Sequence, residues 1–364
     1  MSRITGLANR SLEAYRLRNE MRRRQPPQLR FVERGAGEPT IYYLAPDLDA
    51  AVGGIRVIYR HVDALNALGL RARVLHGTAG FRSTWFEHTT PVVYTPDVEL
   101  TGADVLVVPE WYGPTLDRLP AWVPMVIFNQ RAYDTWDFVP YESTAKGSPY
   151  AGFGNLKALL TVSQDNADLL EYAFPDVPVH RVRNVIDADL FHPGTRTPSR
   201  RISFTTTRRE REREQLLHIL RSRGVLDGWD VVPIVNRSEA EVAEIMRDSA
   251  IFLSFSDREG FGLPPAEAMA CGSYVVGYPG LAGREFFDPA YCAPVTENDL
   301  LAFARAVETA CAAYDDEPLA FSKAGKVASE RVLSEYAPER LDGDLLAFFE
   351  PLTNRRGIRR YPRT

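Results

Sequence analysis

The sequence predicts an α/β protein with two domains, each built on a parallel β-sheet. Short segments rich in β-branched and aromatic residues alternate with longer amphipathic segments along most of the chain. This alternation is typical of β-α-β units, in which a helix returns the chain to the next parallel strand. The chain has 364 residues, which is long enough for two domains.

Composition narrows the class of protein. No segment approaches the roughly 20 apolar residues of a membrane span, and the N-terminus lacks the apolar core of a signal peptide. The cysteines Cys271, Cys292 and Cys311 have neither metal-ligand spacing nor the pattern of a disulfide framework. We therefore expect a cytoplasmic protein with no metal site.

The charge is distributed unevenly. Residues 1–34 carry a net charge of +6 and residues 351–364 a net charge of +5, whereas residues 35–350 carry −16. An acidic body argues against nucleic acid as a partner. The basic ends favour either weak contact with an anionic membrane, which would place the protein on the inner face of the membrane, or simple solvation.

The N-terminal extension, residues 1–38, precedes the first domain. Residues 1–25 are predicted to form an arginine-rich helix that ends at Pro26 and Pro27. Two interpretations remain open: a helix that binds a membrane or a partner, and a solvated extension packed loosely on the body.

The first domain is predicted to cover residues 39–195 and to begin with a strand over 40–45. A turn containing Gly53 and Gly54 leads to an amphipathic helix that ends at Gly69, and the next strand follows over 71–76. Glycines at the start of a helix let the backbone approach a phosphate, and the helix N-terminus favours anions. The alternative is that the two glycines only make a tight turn.

Further strands are predicted over 91–94, 105–108, 125–128, 159–163 and 179–185. Two of them end at polar side chains, Glu110 after one and Asn129 with Gln130 after the other. Ligands of open parallel sheets bind at the carboxyl ends of the strands, so these residues are candidates for the ligand cleft. Alternatively they cap helices or satisfy loops.

An irregular segment over 134–154 is rich in aromatic residues, glycine and proline. Such a segment is typical of a lid or an acceptor surface, and it is equally compatible with a packed loop.

The second domain is predicted to cover residues 196–336. Its first strand, over 201–207, is followed by a charged run with four arginines that are candidates for gripping a diphosphate: Arg208, Arg209, Arg211 and Arg213. The alternative is a surface helix with exposed ion pairs. Further along, Ser238 and Glu241 have the spacing of a capping box for a helix over 239–247.

The rest of the chain is organised around residues 254–272. A buried strand over 251–255 runs into a polar turn with Glu259 at its tip, and a helix is predicted to start near Ala266 with Glu267 in its first turn. A loop of this kind directs backbone amides and a helix N-terminus at a phosphate or a sugar, and the two carboxylates add acceptors for hydroxyl groups.

This segment reads Glu259-Gly-Phe-Gly-Leu-Pro-Pro-Ala-Glu267-Ala-Met-Ala-Cys-Gly272. It resembles the motif of two glutamates separated by seven residues in retaining glycosyltransferases of the GT-B fold, the group 1 or family 4-like enzymes. The resemblance extends over roughly residues 40–350. It includes the early Gly53-Gly54 pair, residues 183–187 before the linker and the glycine-rich stretch 280–285.

The resemblance implies two Rossmann-like domains with parallel sheets that face each other across a cleft. It further implies a nucleotide-sugar donor on the second domain, a carbohydrate or lipid-linked acceptor on the first, and a C-terminal segment, 337–364, whose helix crosses back before a basic tail. Carried over by position, the donor-binding residues would be Gly53, Gly54, Phe261, Gly262, Leu263 and Glu267.

In the family resemblance, Glu259 would contact the donor sugar and Glu267 the ribose. Arg208 and Arg211 correspond best to the basic pair that stabilises the leaving diphosphate, with Arg209 or Arg213 as substitutes. The family usually needs neither a metal nor another cofactor, and retention is ascribed to attack on the same face with the departing phosphate as base. The sequence departs from the family where many members carry a histidine and this chain has Asn129 and Gln130.

Two other function classes remain. One is a nucleotide-sugar epimerase of the same two-domain shape, which would need a cluster of histidines and carboxylates that the sequence does not suggest. The other is a non-catalytic nucleotide-sugar-binding protein, against which stand the intact glutamates and glycines of the motif.

Overall fold

The computed structural model describes residues 15–32, 38–48, 50, 52–119, 123–150 and 155–354. Contacts divide the chain into two compact units. The first unit comprises Met1–Thr161, Asn166–Arg181 and Leu345–Thr364, and the second comprises Val162–Asp165 and Val182–Asp344.

The division differs in detail from the predicted domain limits. The chain passes into the second unit after Arg181, before the predicted boundary at residue 195. The predicted C-terminal segment 337–364 is shared, because residues from Leu345 onward group with the first unit.

The first unit contains a sheet of seven strands, all parallel. In chain order they are β2 (Ile41–Leu44), β3 (Ala72–His76), β4 (Val92–Tyr94), β6 (Val105–Pro109), β7 (Met125–Asn129), β8 (Leu156–Thr161) and β9 (Val179–Arg181). Their spatial order is β4-β3-β2-β6-β7-β8-β9. The predicted parallel sheet is confirmed, and the fully buried strands β6 and β7 are the continuous apolar runs expected at the centre of such a sheet.

A second, two-stranded sheet in this unit was not predicted. It pairs β1 (Arg30–Val32) with β5 (Glu99–Thr101) in parallel, so that Arg30 lies opposite Glu99. The strands are only three residues long, which is too short for a periodicity of two to be recognised in the sequence.

Two helices accompany the seven-stranded sheet, α1 (Gly53–Ala67) and α2 (Gln164–Ala173). The predicted end of α1 at Gly69 is confirmed. Gly69 has φ +82°, and the amide of Leu70 donates to the carbonyl of Leu65 (2.9 Å). That closing bond requires a left-handed residue, which glycine adopts without strain.

The second unit contains a sheet of five parallel strands. They are β10 (Ser199–Thr205), β11 (Asp230–Ile234), β12 (Ser249–Phe255), β13 (Tyr274–Tyr278) and β14 (Ala293–Pro294), in the spatial order β11-β10-β12-β13-β14. All seven residues of the central strand β12 are buried, as its apolar sequence predicts.

The remaining helices are α3 (Glu210–Ser222), α4 (Glu239–Asp248), α5 (Leu263–Ala270), α6 (Leu300–Asp316), α7 (Pro318–Glu335) and α8 (Pro338–Asn354). The predicted capping box of α4 is confirmed, since Ser238 accepts from the amide of Glu241 and the carboxylate of Glu241 accepts from the amide of Ser238. No helix among the described residues is long and apolar enough to cross a membrane.

Helix α7 was missed in the sequence. Its interior contains Gly325, which lowers helix propensity, and a side chain at Gly325 would come within 2.0 Å of the carbonyl oxygen of Gly272. Glycine is required there because two backbones approach closely. Two signals could have found the helix, Pro318 at its start and the spacing of its buried residues Phe321, Ala328 and Val332.

Helix α5 begins earlier than predicted. It starts at Leu263 rather than near Ala266, and Pro264 and Pro265 lie inside its first turn. Proline is tolerated there because first-turn amides have no partner within the helix. The prediction that Glu267 lies in the first turn was therefore wrong, because Glu267 is the fifth helical residue.

Candidate active site

The turn between β10 and α3 carries the four arginines singled out in the sequence. Arg208 extends toward the turn after β12, where its Nε donates to Oε1 of Glu259 at 2.8 Å. The side chains are 39% and 19% exposed, so the ion pair contributes at most about 1 kcal/mol and can be exchanged for a ligand. The structure thus brings together two of the predicted catalytic residues.

Arg209 is engaged in a different way, because its side chain is only 10% exposed and lies among acidic groups. Its guanidinium contacts the carboxylates of Glu212 (3.1 Å), Asp257 (2.9 Å) and Glu297 (2.8 Å). Although burial by itself would lower the pKa of Arg209, these carboxylates raise it above its usual value.

Other contacts complete this site around Arg209. Its guanidinium donates to the carbonyl oxygen of Ser256 (3.0 Å) and to Oδ1 of Asn298 (2.6 Å), and its Cζ lies 4.7 Å from the ring centroid of Tyr278. Arg209 therefore connects three loops that are distant in sequence. With its positive charge already balanced by the protein, it is less suited than Arg208 to grip a diphosphate.

The last two arginines have separate positions. Arg213 is buried, and its Nη1 donates to the carbonyl oxygens of Thr206 and Arg208, both at 3.0 Å. It therefore holds the turn on which Arg208 is mounted. Arg211 is exposed on the first turn of α3, and the structure does not bring it to the Arg208–Glu259 pair.

Backbone contacts fix the position of Glu259. Its amide donates to the carbonyl of Gly280 (2.9 Å), and the amide of Gly280 donates to the carboxylate of Glu297 (2.8 Å). A side chain at Gly280 would come within 2.5 Å of Cβ of Ser256. Glycine is therefore needed for the chain after β13 to approach the Glu259 turn.

Strained backbone is concentrated around this turn. Four residues other than glycine have positive φ in the second unit's loops next to Glu259 and Arg209: Arg209 (45°), Arg258 (48°), Leu281 (70°) and Asn298 (66°). Such conformations persist only where surrounding contacts hold them, and they are enriched at functional sites. The observed strain marks these loops as a candidate site independently of the sequence motif.

The loop after Glu259 leads into the N-terminus of α5. Gly262, with φ +96°, is the N-cap, and Phe261 packs its buried ring on Phe286 and Tyr336. Because Pro264 and Pro265 have no N–H, the amide donors at this helix end come from residues 261–263. These are the amides that the sequence proposed for the sugar and the phosphate.

Glu267 lies one turn further along α5 and is only 7% exposed. Its neighbours in the helix, from Pro265 to Ala270, are also buried. A buried carboxylate requires hydrogen-bonding partners, so this position does not fit a solvated side chain.

The first unit brings together three of its predicted residues. The side-chain amide of Gln130 donates to the carbonyl of Gly54 (3.0 Å), near the start of α1. Burial raises the pKa of Glu110 to about 7, and the neighbouring backbone of Gln130 acts in the opposite direction. Gly53 begins α1 next to this group. These contacts gather the carboxyl ends of β6 and β7 at one helix N-terminus.

Asn129 is the last residue of β7 and directly precedes Gln130. It is fully buried, and its amide donates to Thr135 (2.8 Å) and to the hydroxyl of Tyr150 (2.9 Å), while its oxygen accepts from the amide of Arg131. Asn129 therefore supports the following loop. This is the alternative role considered for it in the sequence analysis, that of satisfying a loop.

The aromatic segment after β7 is packed in part. Trp136 stacks on Phe174 at an interplanar angle of 8°, and Tyr150 packs against the same ring. Tyr141, by contrast, is 87% exposed. Residues 151–154, which belong to the predicted segment, lie outside the described residues.

The acidic side chain of Asp47, which follows β2, is engaged by neighbouring protein groups. Asp47 accepts from the ring of His76 (2.8 Å) and from the amide of Thr78, whereas Asp49 lies outside the described residues. Across the described part of the chain, no group of three or more histidine, cysteine or acidic side chains is arranged to hold a metal ion.

Sequence reasoning missed the partners of Arg209. Glu297 and Asn298 lie in the loop before α6, and Glu212 also accepts from the hydroxyl of Tyr278. Glu297 and Asn298 follow a strand and precede a helix. This location was the only sequence signal that they lie at the carboxyl ends of the strands, next to Arg209.

Comparisons with known proteins agree with this architecture. Sucrose-phosphate synthase from Thermosynechococcus elongatus has a TM-score of 0.62 and 14% identity, covering 86% of this chain and 99% of that chain. HepE from Anabaena, in complex with UDP and glucose, has a TM-score of 0.59 and 13% identity, covering 86% and 100%. The chain therefore has the GT-B fold.

Sequence similarity adds the family. Residues 209–327 match the family described as glycosyl transferases group 1. An α-1,6-glucosyltransferase of Actinobacillus pleuropneumoniae serotype 7 is 26% identical over 286 residues, which cover 72% of this chain and 80% of that relative. Over residues 209–327 the chain therefore matches the group 1 glycosyltransferases, in agreement with the family predicted from the glutamate motif.

Proposed function

We propose that this glycosyltransferase moves a sugar from a nucleotide-sugar donor to a carbohydrate or lipid-linked acceptor and retains the anomeric configuration. The observation that carries the proposal is the Arg208–Glu259 pair, in which Glu259 lies on the loop leading to the N-terminus of α5 and Arg208 on the turn after β10. In this arrangement a cation and the amides of residues 261–263 can bind a phosphate, and a carboxylate can accept from sugar hydroxyls of the same ligand.

UDP-glucose is the first donor to test. HepE from Anabaena, which is similar in fold, was solved with UDP and glucose, and the relative from Actinobacillus pleuropneumoniae is named a glucosyltransferase. In this proposal Glu259 accepts from the hydroxyls of the donor sugar, and Glu267 accepts from the hydroxyls of the ribose.

The proposed chemistry follows from where charge develops. The bond between the anomeric carbon and the phosphate oxygen breaks, and its electron pair leaves with the nucleoside diphosphate. Arg208 and the amides at the start of α5 stabilise that negative charge. The acceptor hydroxyl forms the new bond on the same face of the sugar, and its proton passes to the departing phosphate. No metal or other cofactor is required in this scheme.

Glu110 and Gln130 are proposed to bind the acceptor. They lie at the carboxyl ends of neighbouring strands, β6 and β7, and Gln130 links them to Gly54 at the start of α1. A carboxyl with a pKa near neutrality can either donate or accept a hydrogen bond from a hydroxyl group.

The test is a donor screen with purified protein and sugars linked to UDP, GDP, dTDP and ADP. Release of nucleoside diphosphate identifies the donor, and proton NMR of the first product formed identifies the anomer. We expect release with UDP-glucose, product of the donor's own configuration, and unchanged activity after EDTA treatment. Inverted product would contradict retention, and activity lost with EDTA and restored by a divalent cation would contradict the metal-free scheme.

The same screen separates the alternatives. An epimerase would convert the donor sugar without transferring it. A non-catalytic binding protein would show a raised melting temperature with a nucleotide but no release of diphosphate. If none of the nucleotides changed the melting temperature, the assignment of the second unit as the donor site would be contradicted.

A weak contact with anionic membranes is proposed separately for the basic segment before β1. Residues 15–23 are helical and carry four exposed arginines, Arg16, Arg18, Arg22 and Arg23. We expect the protein to sediment with phosphatidylserine vesicles at low salt and to be released at about 0.5 M salt, where charges are screened. Changing these four residues to glutamine should abolish sedimentation, and unaltered sedimentation would contradict the contact.

A further inference from the structure

One arginine of the N-terminal extension is not exposed. The guanidinium carbon of Arg24 lies 4.2 Å from the ring centroid of Trp111 and 4.4 Å from that of Phe138. Its side chain is 12% exposed, whereas that of the neighbouring Arg23 is 60% exposed. The two aromatic rings therefore select one arginine from a run of three.

The chain from Arg24 onward is also held. The hydroxyl of Thr115 donates to the carbonyl oxygen of Arg24. Pro27 lies so close to Gly77 that a side chain on Gly77 would come within 3.0 Å of Cβ of Pro27. Three residues further on, β1 pairs with β5. We name residues 24–32 the N-terminal strap.

The partners of residues 24–27 share one location in the first unit. Trp111 and Thr115 follow β6, Phe138 follows β7, and Gly77 follows β3. All of them lie beyond the carboxyl ends of parallel strands. Residues 24–27 therefore run along the edge of the sheet where open α/β folds bind their ligands, and this is the same edge that carries Glu110 and Gln130. From there β1 follows β5 toward the start of β6.

The strength of the contact distinguishes it from incidental packing. Burial lowers the pKa of Arg24, although Glu20 and the acidic groups that follow β6 and β7 oppose this effect. Each cation–π contact of a desolvated arginine contributes about 1–2 kcal/mol. Phe138 also adopts a left-handed backbone with φ +65°, which other contacts must hold in place.

We propose that the strap forms one wall of the acceptor-binding edge, and that Arg24 is the positioning residue that keeps it there. The proposal rests on the proposed function, in which the acceptor binds the first unit. The wall favours an acceptor with sugar rings, because the side chains beside Arg24 are aromatic and present apolar faces. The N-terminal extension thereby influences which acceptor is used.

The test compares Arg24→Met with Arg23→Met in the full chain, with UDP-glucose as donor and methyl glucosides and glucose disaccharides as acceptors. Arg24→Met should raise the acceptor KM about tenfold or more, because a displaced wall misplaces the acceptor, while kcat at saturating acceptor changes much less. Arg23→Met should leave both unchanged. The Kd for UDP, measured by calorimetry, should be equal in the two variants.

Tryptic cleavage provides a second readout that does not depend on an acceptor. Cleavage after Arg24 should be faster in Trp111→Leu than in the unaltered protein, because the strap is released more often. Thr115→Val, a milder change that keeps the side-chain shape, should raise the acceptor KM in the same direction but by less. It replaces Arg24→Met as the kinetic test if that variant does not fold.

The outcomes separate the two proposals. If the unaltered protein transfers sugar but the KM of the Arg24 variant equals that of the Arg23 variant, the inference about the strap is overturned and the proposed function stands. If the Arg24 variant loses UDP affinity as well, Arg24 acts on overall structure and the inference is also overturned. If the unaltered protein transfers no sugar to any acceptor, the proposed function fails and the inference with it.

Discussion

The two units hold their candidate ligand-binding edges by different means. In the second unit, the guanidinium of Arg209 is held by ion pairs with three carboxylates. At the carboxyl edge of the first unit, Arg24 is instead held between two aromatic rings, and Gln130 contacts backbone.

This difference bears on the ligands each edge can bind. An edge with fixed charges and helix amides is prepared for an anion, because its dipoles need not reorganise when negative charge develops. An edge of aromatic and amide groups suits neutral rings and hydroxyls. The comparison therefore supports the proposal that the diphosphate binds the second unit and the acceptor the first.

The largest expected effect concerns the edge of the second unit that carries Arg208, Arg209 and Glu259, which we call the charged edge. Changing Glu259 to Gln should lower kcat about 10²–10³-fold, since a group that contacts the reacting sugar is removed. The Kd for free UDP should stay within about twofold, as measured by calorimetry. If UDP affinity falls in parallel with kcat, Glu259 does not act on the sugar and the charged edge has been assigned wrongly.

The comparison also predicts a loss of stability for the buried cation. Changing Arg209 to Met leaves Glu212, Asp257 and Glu297 without their shared counter-charge. Because these carboxylates are partly exposed, we expect the second unit to lose about 1–3 kcal/mol of unfolding free energy. Urea denaturation measures the loss. Arg211→Met, at an exposed position, is the control and should change the free energy by less than about 0.5 kcal/mol. Equal losses would show that charge does not organise this edge.

A smaller effect is expected at the ribose position. Glu267→Ala should weaken UDP binding about tenfold, which corresponds to the loss of hydrogen bonds to a charged group. Its effect on kcat at saturating donor should be smaller than that of Glu259→Gln. The Kd for UDP is measured by calorimetry at several temperatures. An unchanged Kd in the variant would contradict the assignment of Glu267.

The smallest effect concerns the first unit and its dependence on pH. The pKa of Glu110 is raised by burial to about 7, so the folded chain binds more protons than the unfolded chain between the ordinary carboxyl pKa and pH 7. The stability contributed by the neutral carboxyl is present at low pH and is lost as pH rises across that window.

The melting temperature of the first unit should fall between pH 5 and pH 8 in the unaltered protein. In Glu110→Gln this fall should be smaller by about 2–4 °C. The difference between the two proteins should grow with pH in favour of the variant. Parallel melting curves across this range would contradict the raised pKa.

The sequence predicted most of the sheet architecture because parallel strands are continuous apolar runs. Strands such as β7 and β12, with every residue buried, are recognisable without any knowledge of their neighbours. The glutamate motif indicated Glu259, and the arginine run indicated Arg208. Their ion pair follows from two adjacent strand ends of one sheet, β10 and β12.

The missing parts depend on contacts between distant positions. Glu297 lies 88 residues from Arg209, and nothing in either local sequence marks them as partners. Arg24 is one of three consecutive arginines, and only the rings of Trp111 and Phe138 distinguish it from its neighbours. A charge pattern identifies a basic segment, but burial decides which of its residues has a specific contact.

The central claim is that the second unit binds the donor diphosphate through Arg208, next to Glu259. The most direct measurement is the calorimetric Kd of UDP for the unaltered protein and for Arg208→Met and Arg211→Met. We predict that Arg208→Met weakens binding about tenfold or more, because a charge-assisted contact to the phosphate is lost, and that Arg211→Met binds within twofold of the unaltered protein. Equal weakening in both variants, or unchanged affinity in Arg208→Met, would contradict the claim.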